Sequence, residues 1–278
     1  MNTRAAMIGG VAAMLAITGA ATWATLGAGH HAPAVGEVAD IRLPVPPMPP
    51  RIASGAEYER CLALLSTDPA GAAAMAEAWQ ARHGGEGATH CLGLSRVAGG
   101  EPAVGGAILQ ALAEASHAPP AARAILFGQA AQAWMMAGQP DRATQAATSA
   151  LALSPQDPEL LMDRATAGMA LGRFRAAAAD LSEALATDPR RADALVMRGT
   201  ALRHLGRLDA ARDDIARALA AEPDNPEALL ERGILRQRGH DAAGARADWQ
   251  RIIALTPDSP TADLAEQNLA LLEAGPVR

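Results

Sequence analysis

The sequence reads DRAT at residues 163–166, and this phrase returns as MRGT at 197–200 and as ERGI at 231–234. Successive copies are 34 residues apart. Each copy is followed by a glycine, an alanine and a proline in the same order, namely Gly172, Ala177 and Pro189, then Gly206, Ala211 and Pro223, then Gly239, Ala245 and Pro257. One unit earlier the phrase is weaker, but Gly138, Ala143 and Pro155 keep the frame. A fixed period of this length predicts stacked units that share one core.

This order of small residue, glycine, alanine and proline resembles the tetratricopeptide repeat, a helix-turn-helix unit. The resemblance implies an all-α fold, a right-handed α-solenoid in which each unit packs against its neighbours. Four repeats are expected at residues 124–157, 158–191, 192–225 and 226–259. Residues 53–123 resemble the family only loosely and form a degenerate helical region that contains the cysteine pair. Residues 260–278 are expected to contain a C-terminal capping helix, because a serine followed by proline precedes an apolar stripe.

The composition fits closely packed helices. Half of the residues are hydrophobic, mostly alanine and leucine, and aromatic residues make up only 3%. Small residues at this density favour helix packing, whereas a β fold would need more β-branched and aromatic side chains. The net charge of −6 argues against nucleic-acid binding, which requires a basic surface.

The N-terminus predicts export. Arg4 is followed by an uncharged run that extends to Gly29. Residues 1–31 are therefore expected to be a signal peptide or an uncleaved transmembrane anchor, because about 20 apolar residues can span a bilayer. Both alternatives place the body in the periplasm, tethered to the inner membrane if the segment is retained. The proline-rich residues 32–52 are expected to be an extended linker, or alternatively a ligand for another domain.

A pair of opposite charges recurs inside three of the units. Arginine at position seven and aspartate at position twenty-three occur together, as Arg164 with Asp180, Arg198 with Asp214, and Arg232 with Asp248. In the unit that begins at Ala124 both places hold alanine, Ala130 and Ala146. Because either ion alone at a packed helix interface would be costly, the joint occurrence predicts structural ion pairs between the two helices of a repeat. A charged stripe for a ligand is the alternative.

The resemblance also implies a binding groove, since this family binds ligands through the first helix of each repeat. By the family's pattern, positions two, five, nine and twelve of each unit face the groove. The residues expected to contact a partner are Met135, Met162, Met169, Val196, Arg203, Leu230 and Ile234. The lysine and asparagine clamp for a C-terminal carboxylate is absent, so we expect an apolar or amphipathic segment, with Arg203 orienting an acidic group. Alternatively, several of the methionines fill gaps in the core.

The two cysteines, Cys61 and Cys91, are expected to form a disulfide in an exported protein. A metal site with His83 and His90 is the alternative, although the spacing matches no zinc pattern. The sequence contains no catalytic constellation and no nucleotide-binding fingerprint. We therefore expect no enzymatic activity, no cofactor, no metal and no small-molecule substrate.

These features predict a non-enzymatic scaffold or adaptor of the bacterial cell envelope that binds a protein or peptide partner through the groove. The second hypothesis is an accessory regulatory component of an envelope biogenesis system, such as cytochrome maturation or cell-wall synthesis. An enzyme is the third, which a cluster of perturbed carboxylates in a cleft would favour.

Overall fold

The computed structural model describes residues 51–274, which form 13 α-helices and no strand. The helices are α1 (Ala56–Leu64), α2 (Pro69–Ala81), α3 (Gly85–Ala98), α4 (Pro102–Ala115), α5 (Pro120–Met136), α6 (Pro140–Leu153), α7 (Pro158–Ala170), α8 (Phe174–Thr187), α9 (Ala192–His204), α10 (Leu208–Ala221), α11 (Pro226–Arg238), α12 (Ala242–Leu255) and α13 (Pro260–Ala274). The predicted all-α helical repeat solenoid is confirmed.

Two of the expected segments fall outside the described part of the chain. These are the signal peptide or anchor at residues 1–31 and nearly all of the linker at 32–52. Among the described helices, none is long and apolar enough to cross a membrane.

Consecutive helices pack as hairpins, and each hairpin packs against the next. The four repeats are α5 with α6, α7 with α8, α9 with α10, and α11 with α12. Helix α13 packs against both α11 and α12, at the place expected for a capping helix. Helix α5 begins at Pro120, one turn before the expected repeat start at Ala124, because proline is well tolerated in the first turn of a helix.

The turn inside each hairpin needs one residue in the left-handed region of backbone space. Gly138, Gly172 and Gly206 fill this place, with φ of 66°, 71° and 74°. In the last repeat the glycine, Gly239, lies one place earlier in the unit and has a φ of −86°. The left-handed residue there is His240, with a φ of 64°. Histidine is among the non-glycine residues that adopt this conformation more readily than most.

The small residue of each repeat phrase lets the two helices of a hairpin approach closely. A side chain at Gly199 would press on Ile215, with its Cβ 2.9 Å from the isoleucine Cδ1. A side chain at Gly233 would collide with the indole of Trp249, which is fully buried. The second helix then ends before the repeat's proline, which cannot continue a helix.

The buried side chains form two long clusters that follow the solenoid. One runs from Leu94 to Ala184 and the other from Ala165 to Ala265, so the two overlap along the chain. Met162 packs against both. A third, small cluster surrounds Cys61 and Cys91 at the N-terminal end.

Candidate protein-binding face

The first helices of the four repeats lie side by side. We call the surface made by positions two, five, nine and twelve of α5, α7, α9 and α11 the first-helix face. Polar side chains connect one first helix to the next at three steps: Gln132 with Asp163 between α5 and α7, Arg191 with Glu159 between α9 and α7, and Arg203 with Glu231 between α9 and α11. These contacts hold α5, α7, α9 and α11 next to one another in chain order.

Five of the predicted groove residues are half-buried apolar side chains on this face, Met135, Met162, Met169, Leu230 and Ile234. Each packs against a core cluster on one side, which accords with the alternative that the methionines fill gaps. None of the five is fully enclosed, so each still presents apolar surface to the exterior.

Two predicted groove residues do not have the expected role. Val196 is only 7% exposed, so it belongs to the core rather than to the binding surface. The side chain of Arg203 is 11% exposed and donates to Glu231 from Nε at 2.6 Å and from Nη2 at 3.0 Å. Its charge is already neutralised by a buried carboxylate, which argues against the prediction that Arg203 orients an acidic group of a partner. Glu231 lies 28 residues away, outside the 34-residue frame that guided the sequence analysis.

Asp163 is a polar feature of this face that the sequence analysis did not single out. Gln132 Nε2 donates to both of its carboxylate oxygens at 3.2 Å. Burial raises the pKa of Asp163 to about 6, against the lowering effect of the Gln132 hydrogen bond and together with repulsion from Glu159 and Asp157. The Gln132 Oε1 atom is buried and accepts no hydrogen bond from the described residues.

The recurring arginines and aspartates lie within hydrogen-bonding distance in all three repeats. Arg164 meets Asp180 through Nε at 2.8 Å and Nη2 at 2.7 Å, and the other two pairs have the same two-point geometry. Asp180, Asp214 and Asp248 are buried between the helices of their hairpins. This position favours a structural role for the pairs over a ligand stripe.

In the N-terminal region, the surface of α3 that corresponds to the first-helix face is covered. The α3–α4 turn contains Gly100 with a φ of 84°, in the place of Gly138 in the α5–α6 turn. By this alignment His90, Leu94 and Val97 of α3 occupy positions five, nine and twelve, and all three are buried. The segment around α1 lies against this helix: Cys61 is disulfide-bonded to Cys91, with their Cα atoms 6.2 Å apart.

A neutral hydrogen-bonded chain holds α1, α3 and α5 together. His90 Nε2 lies 2.7 Å from Gln129 Oε1, which can only accept, so Nε2 carries the proton. His90 Nδ1 therefore accepts from the Tyr58 hydroxyl at 2.5 Å. Burial lowers the pKa of His90 to about 4 and keeps the ring neutral. The two cysteines are therefore held in the disulfide and His90 in this hydrogen-bonded chain, and no group of three or more potential metal ligands occurs among the described residues.

Two equivalent lateral grooves lie on another side of the solenoid. The larger, of about 620 Å³, is bounded by α10, α11 and the turn before α12, and the smaller, of about 560 Å³, lies 34 residues earlier along the chain. Leu219 and Leu235 contribute to the apolar part of the larger groove. Its arginines already have carboxylate partners, Arg212 with Asp209 and both Arg232 and Arg236 with Asp248.

Comparison with known proteins agrees with this architecture. Family models of the tetratricopeptide repeat match residues 132–200 and 192–235. No curated protein matches the chain significantly. Proteins of this fold are in general non-catalytic scaffolds, and no enzyme family is indicated.

Three solved structures illustrate the likeness in fold. The Cut9 and Hcn1 hetero-tetramer of the APC/C aligns with a TM-score of 0.60 and 16% identity over 77% of this chain and 42% of its own. TTC0263, a thermophilic TPR protein from Thermus thermophilus, gives 0.54 and 21% over 67% of this chain and 100% of its own. YrrB, described as a TPR protein with an unusual peptide-binding site, gives 0.53 and 17% over 70% and 97%. On its repeats and its fold, the chain is similar to the tetratricopeptide repeat family, whose members generally mediate protein–protein interactions.

Proposed function

We propose that this protein is a non-enzymatic adaptor that binds an apolar or amphipathic segment of a partner protein on its first-helix face. The observation that carries the proposal is the set of half-buried apolar side chains shared by three first helices, Met135, Met162, Met169, Leu230 and Ile234. Apolar side chains held by a packed core on one side and open on the other gain free energy when a partner removes them from water.

The chemistry of this set favours a partner segment of variable shape. Methionine is flexible and polarisable, so a surface with three methionines can repack around different apolar side chains. The peptide-binding site described for YrrB supports the proposal by analogy of fold. Because the contacts are mainly apolar, affinity should depend only weakly on salt.

We place this adaptor in the bacterial cell envelope, with the folded body in the periplasm and residues 1–31 as its signal or inner-membrane anchor. The Cys61–Cys91 disulfide supports this location, since structural disulfides persist in oxidising compartments and are rare in the cytosol. Fractionation of cells that express the full-length chain, followed by a protease-accessibility assay, tests the placement. Recovery of a reduced, cytosolic protein would contradict it.

Site-specific photocrosslinking in intact cells tests the binding face. A photoreactive phenylalanine analogue replaces Met162 or Ile234 in turn, and matched controls carry it at the exposed residues Glu183 of α8 and Ala220 of α10. The proposal predicts adducts to the same partner from both first-helix positions and weak or absent adducts from the controls. Adducts that form mainly from Glu183 or Ala220 would assign binding to the second helices instead.

A further inference from the structure

The three steps between adjacent first helices are chemically different although they are built from the same positions. Position twelve of one first helix and position six of the next hold Met135 and Asp163 at the first step, Met169 and Met197 at the second, and Arg203 and Glu231 at the third. The second step is apolar on both sides. The third is a complete ion pair, with Arg203 Nε 2.6 Å from a carboxylate oxygen of Glu231.

The first step has a carboxylate at the same position as the third step, but it lacks the arginine. Asp163 stands where the third step has Glu231, but methionine replaces the arginine that would neutralise it. The four buried carboxylates of the described region, Asp180, Asp214, Glu231 and Asp248, are all held by arginine. The half-buried Asp163 is instead held by the neutral amide of Gln132.

The charges around Asp163 do not supply the missing cation. The carboxylates of Glu159 and Asp157 on its own side of the repeat repel it. Arg191, which comes from the start of α9, is engaged by Glu159 and Asp193, and the adjacent Arg164 is engaged by Asp180. From α5 the polar group that faces Asp163 is Gln132, whose Oε1 is buried and accepts no hydrogen bond within the described region. A carboxylate that no described cation neutralises therefore lies beside the apolar side chains of Met135 and Met162.

We propose that the step between α5 and α7 is a subsite for a cationic side chain, arginine or lysine, of the partner segment. The partner's cation pairs with the carboxylate of Asp163, while the aliphatic part of its side chain packs on the two methionines. Arg203 on Glu231 shows, within this chain, that an acid at position six of a first helix can pair with a guanidinium. This inference rests on the proposed function and gives the partner a definite pattern, an apolar segment with one basic residue.

Selection from a random peptide library displayed on phage tests the subsite with a defined probe. The bait is the full-length chain in detergent, as wild type and as three variants. Asp163→Asn removes the charge with little change of shape, and Asp209→Asn makes the same charge change at a side chain that is 98% exposed on α10. Met135→Arg supplies the missing cation from the chain itself, in the arrangement of Arg203 and Glu231.

The proposal predicts that wild type and Asp209→Asn select apolar peptides with one enriched arginine or lysine. Asp163→Asn and Met135→Arg should still select apolar peptides but lose that enrichment. Replacing the basic residue of a selected peptide by citrulline or norleucine should weaken its binding to wild type by about 10- to 100-fold, as expected for a charge-assisted pair. The same replacement should have little effect on binding to Asp163→Asn. Comparing the arginine and lysine forms of the peptide shows which cation the site prefers.

The possible failures of the two proposals are distinguishable. Apolar peptides selected by wild type without a basic residue, or a basic residue that stays enriched with Asp163→Asn, would overturn the subsite and leave the adaptor function intact. Failure of the wild-type chain to select any peptide that depends on Met162 would overturn both.

Discussion

The N-terminal region from α1 to α4 and the repeats from α7 to α12 use the same hairpin packing but differ in their cross-links and in their open surface. In the repeats, Arg–Asp pairs connect the two helices of each hairpin, and the first-helix face keeps half-buried apolar side chains. In the N-terminal region, a disulfide and a neutral Tyr58–His90–Gln129 chain connect α1, α3 and α5, and the equivalent surface of α3 is buried.

The difference shows that the same hairpin packing can leave the surface of the first helix either covered or open. A segment of the chain itself covers α3, with Ala53 so close to Gly87 that a side chain at the glycine would collide with it. Because this surface is closed, partner binding is expected only where the first helices remain uncovered.

The largest effect is expected from removing the disulfide with Cys61→Ser and Cys91→Ser. The bridge closes a loop across a separation of 30 residues, so its loss should destabilise the N-terminal region by about 3–4 kcal/mol on the chain-entropy model. Hydrogen exchange should show faster opening of α1 to α3, with little change in α11 and α12, because repeats couple mainly to their neighbours.

The redox state of the two cysteines in the native protein can be read independently. Alkylation without reductant should leave both of them unmodified, and alkylation after reduction should modify both. Two thiols that react before reduction would contradict the disulfide and weaken the periplasmic placement.

A second effect of similar size is expected from breaking one ion pair in the repeats. Asp214→Ala or Arg198→Ala leaves a charge inside a packed hairpin, and should lower the free energy of unfolding by about 2–4 kcal/mol. The double variant should cost less than the sum of the two, because the α5–α6 hairpin packs with Ala130 and Ala146 at the same positions. Urea unfolding of the wild type, the two single variants and the double variant gives the coupling energy. If the effects of the two single substitutions simply add up in the double variant, the pair does not interact.

A smaller pair of effects, of opposite sign, is expected from pH. The pKa of His90 is lowered to about 4 in the folded protein, so the unfolded state binds a proton at a higher pH than the folded state does. The N-terminal region should therefore lose stability as pH falls from about 6.5 to 4. Asp163 has its pKa raised to about 6, so the α5–α7 step should lose stability as pH rises from about 4 to 6. Each change should amount to roughly 2–3 kcal/mol.

Hydrogen exchange resolved by helix across this pH range separates the two effects. Asp163→Asn should abolish the loss of stability with rising pH at α7 and leave the pH dependence of α1 and α3 unchanged. The same sign of dependence in both regions would show that one of the two groups is not buried as described.

The sequence predicted most of the fold because the 34-residue period carries the helices, their turns and the Arg–Asp pairs. It predicted less of the site, because the repeat frame alone does not determine which groove positions are exposed. That frame does not show that Arg203 pairs with Glu231 or that Val196 is enclosed by its neighbours. It also gave no sign that α1 covers α3, because contacts outside the period leave no recurring pattern. Comparison of position twelve with position six of the next unit could have revealed both Arg203–Glu231 and the incomplete Met135–Asp163 step.

The central claim is that a partner binds the open first-helix face and not the lateral grooves. The most direct measurement is the affinity of a library-selected apolar peptide for Met162→Asp/Ile234→Asp, compared with Ala186→Asp/Ala220→Asp. The second pair adds the same charge at equivalent exposed positions of α8 and α10, and Ala220 lines the larger lateral groove. We expect the first double variant to lose binding by at least about 100-fold, because burying a carboxylate against an apolar partner is costly, with helicity by circular dichroism unchanged. Retained binding by this variant, or loss of binding by the second, would contradict the claim.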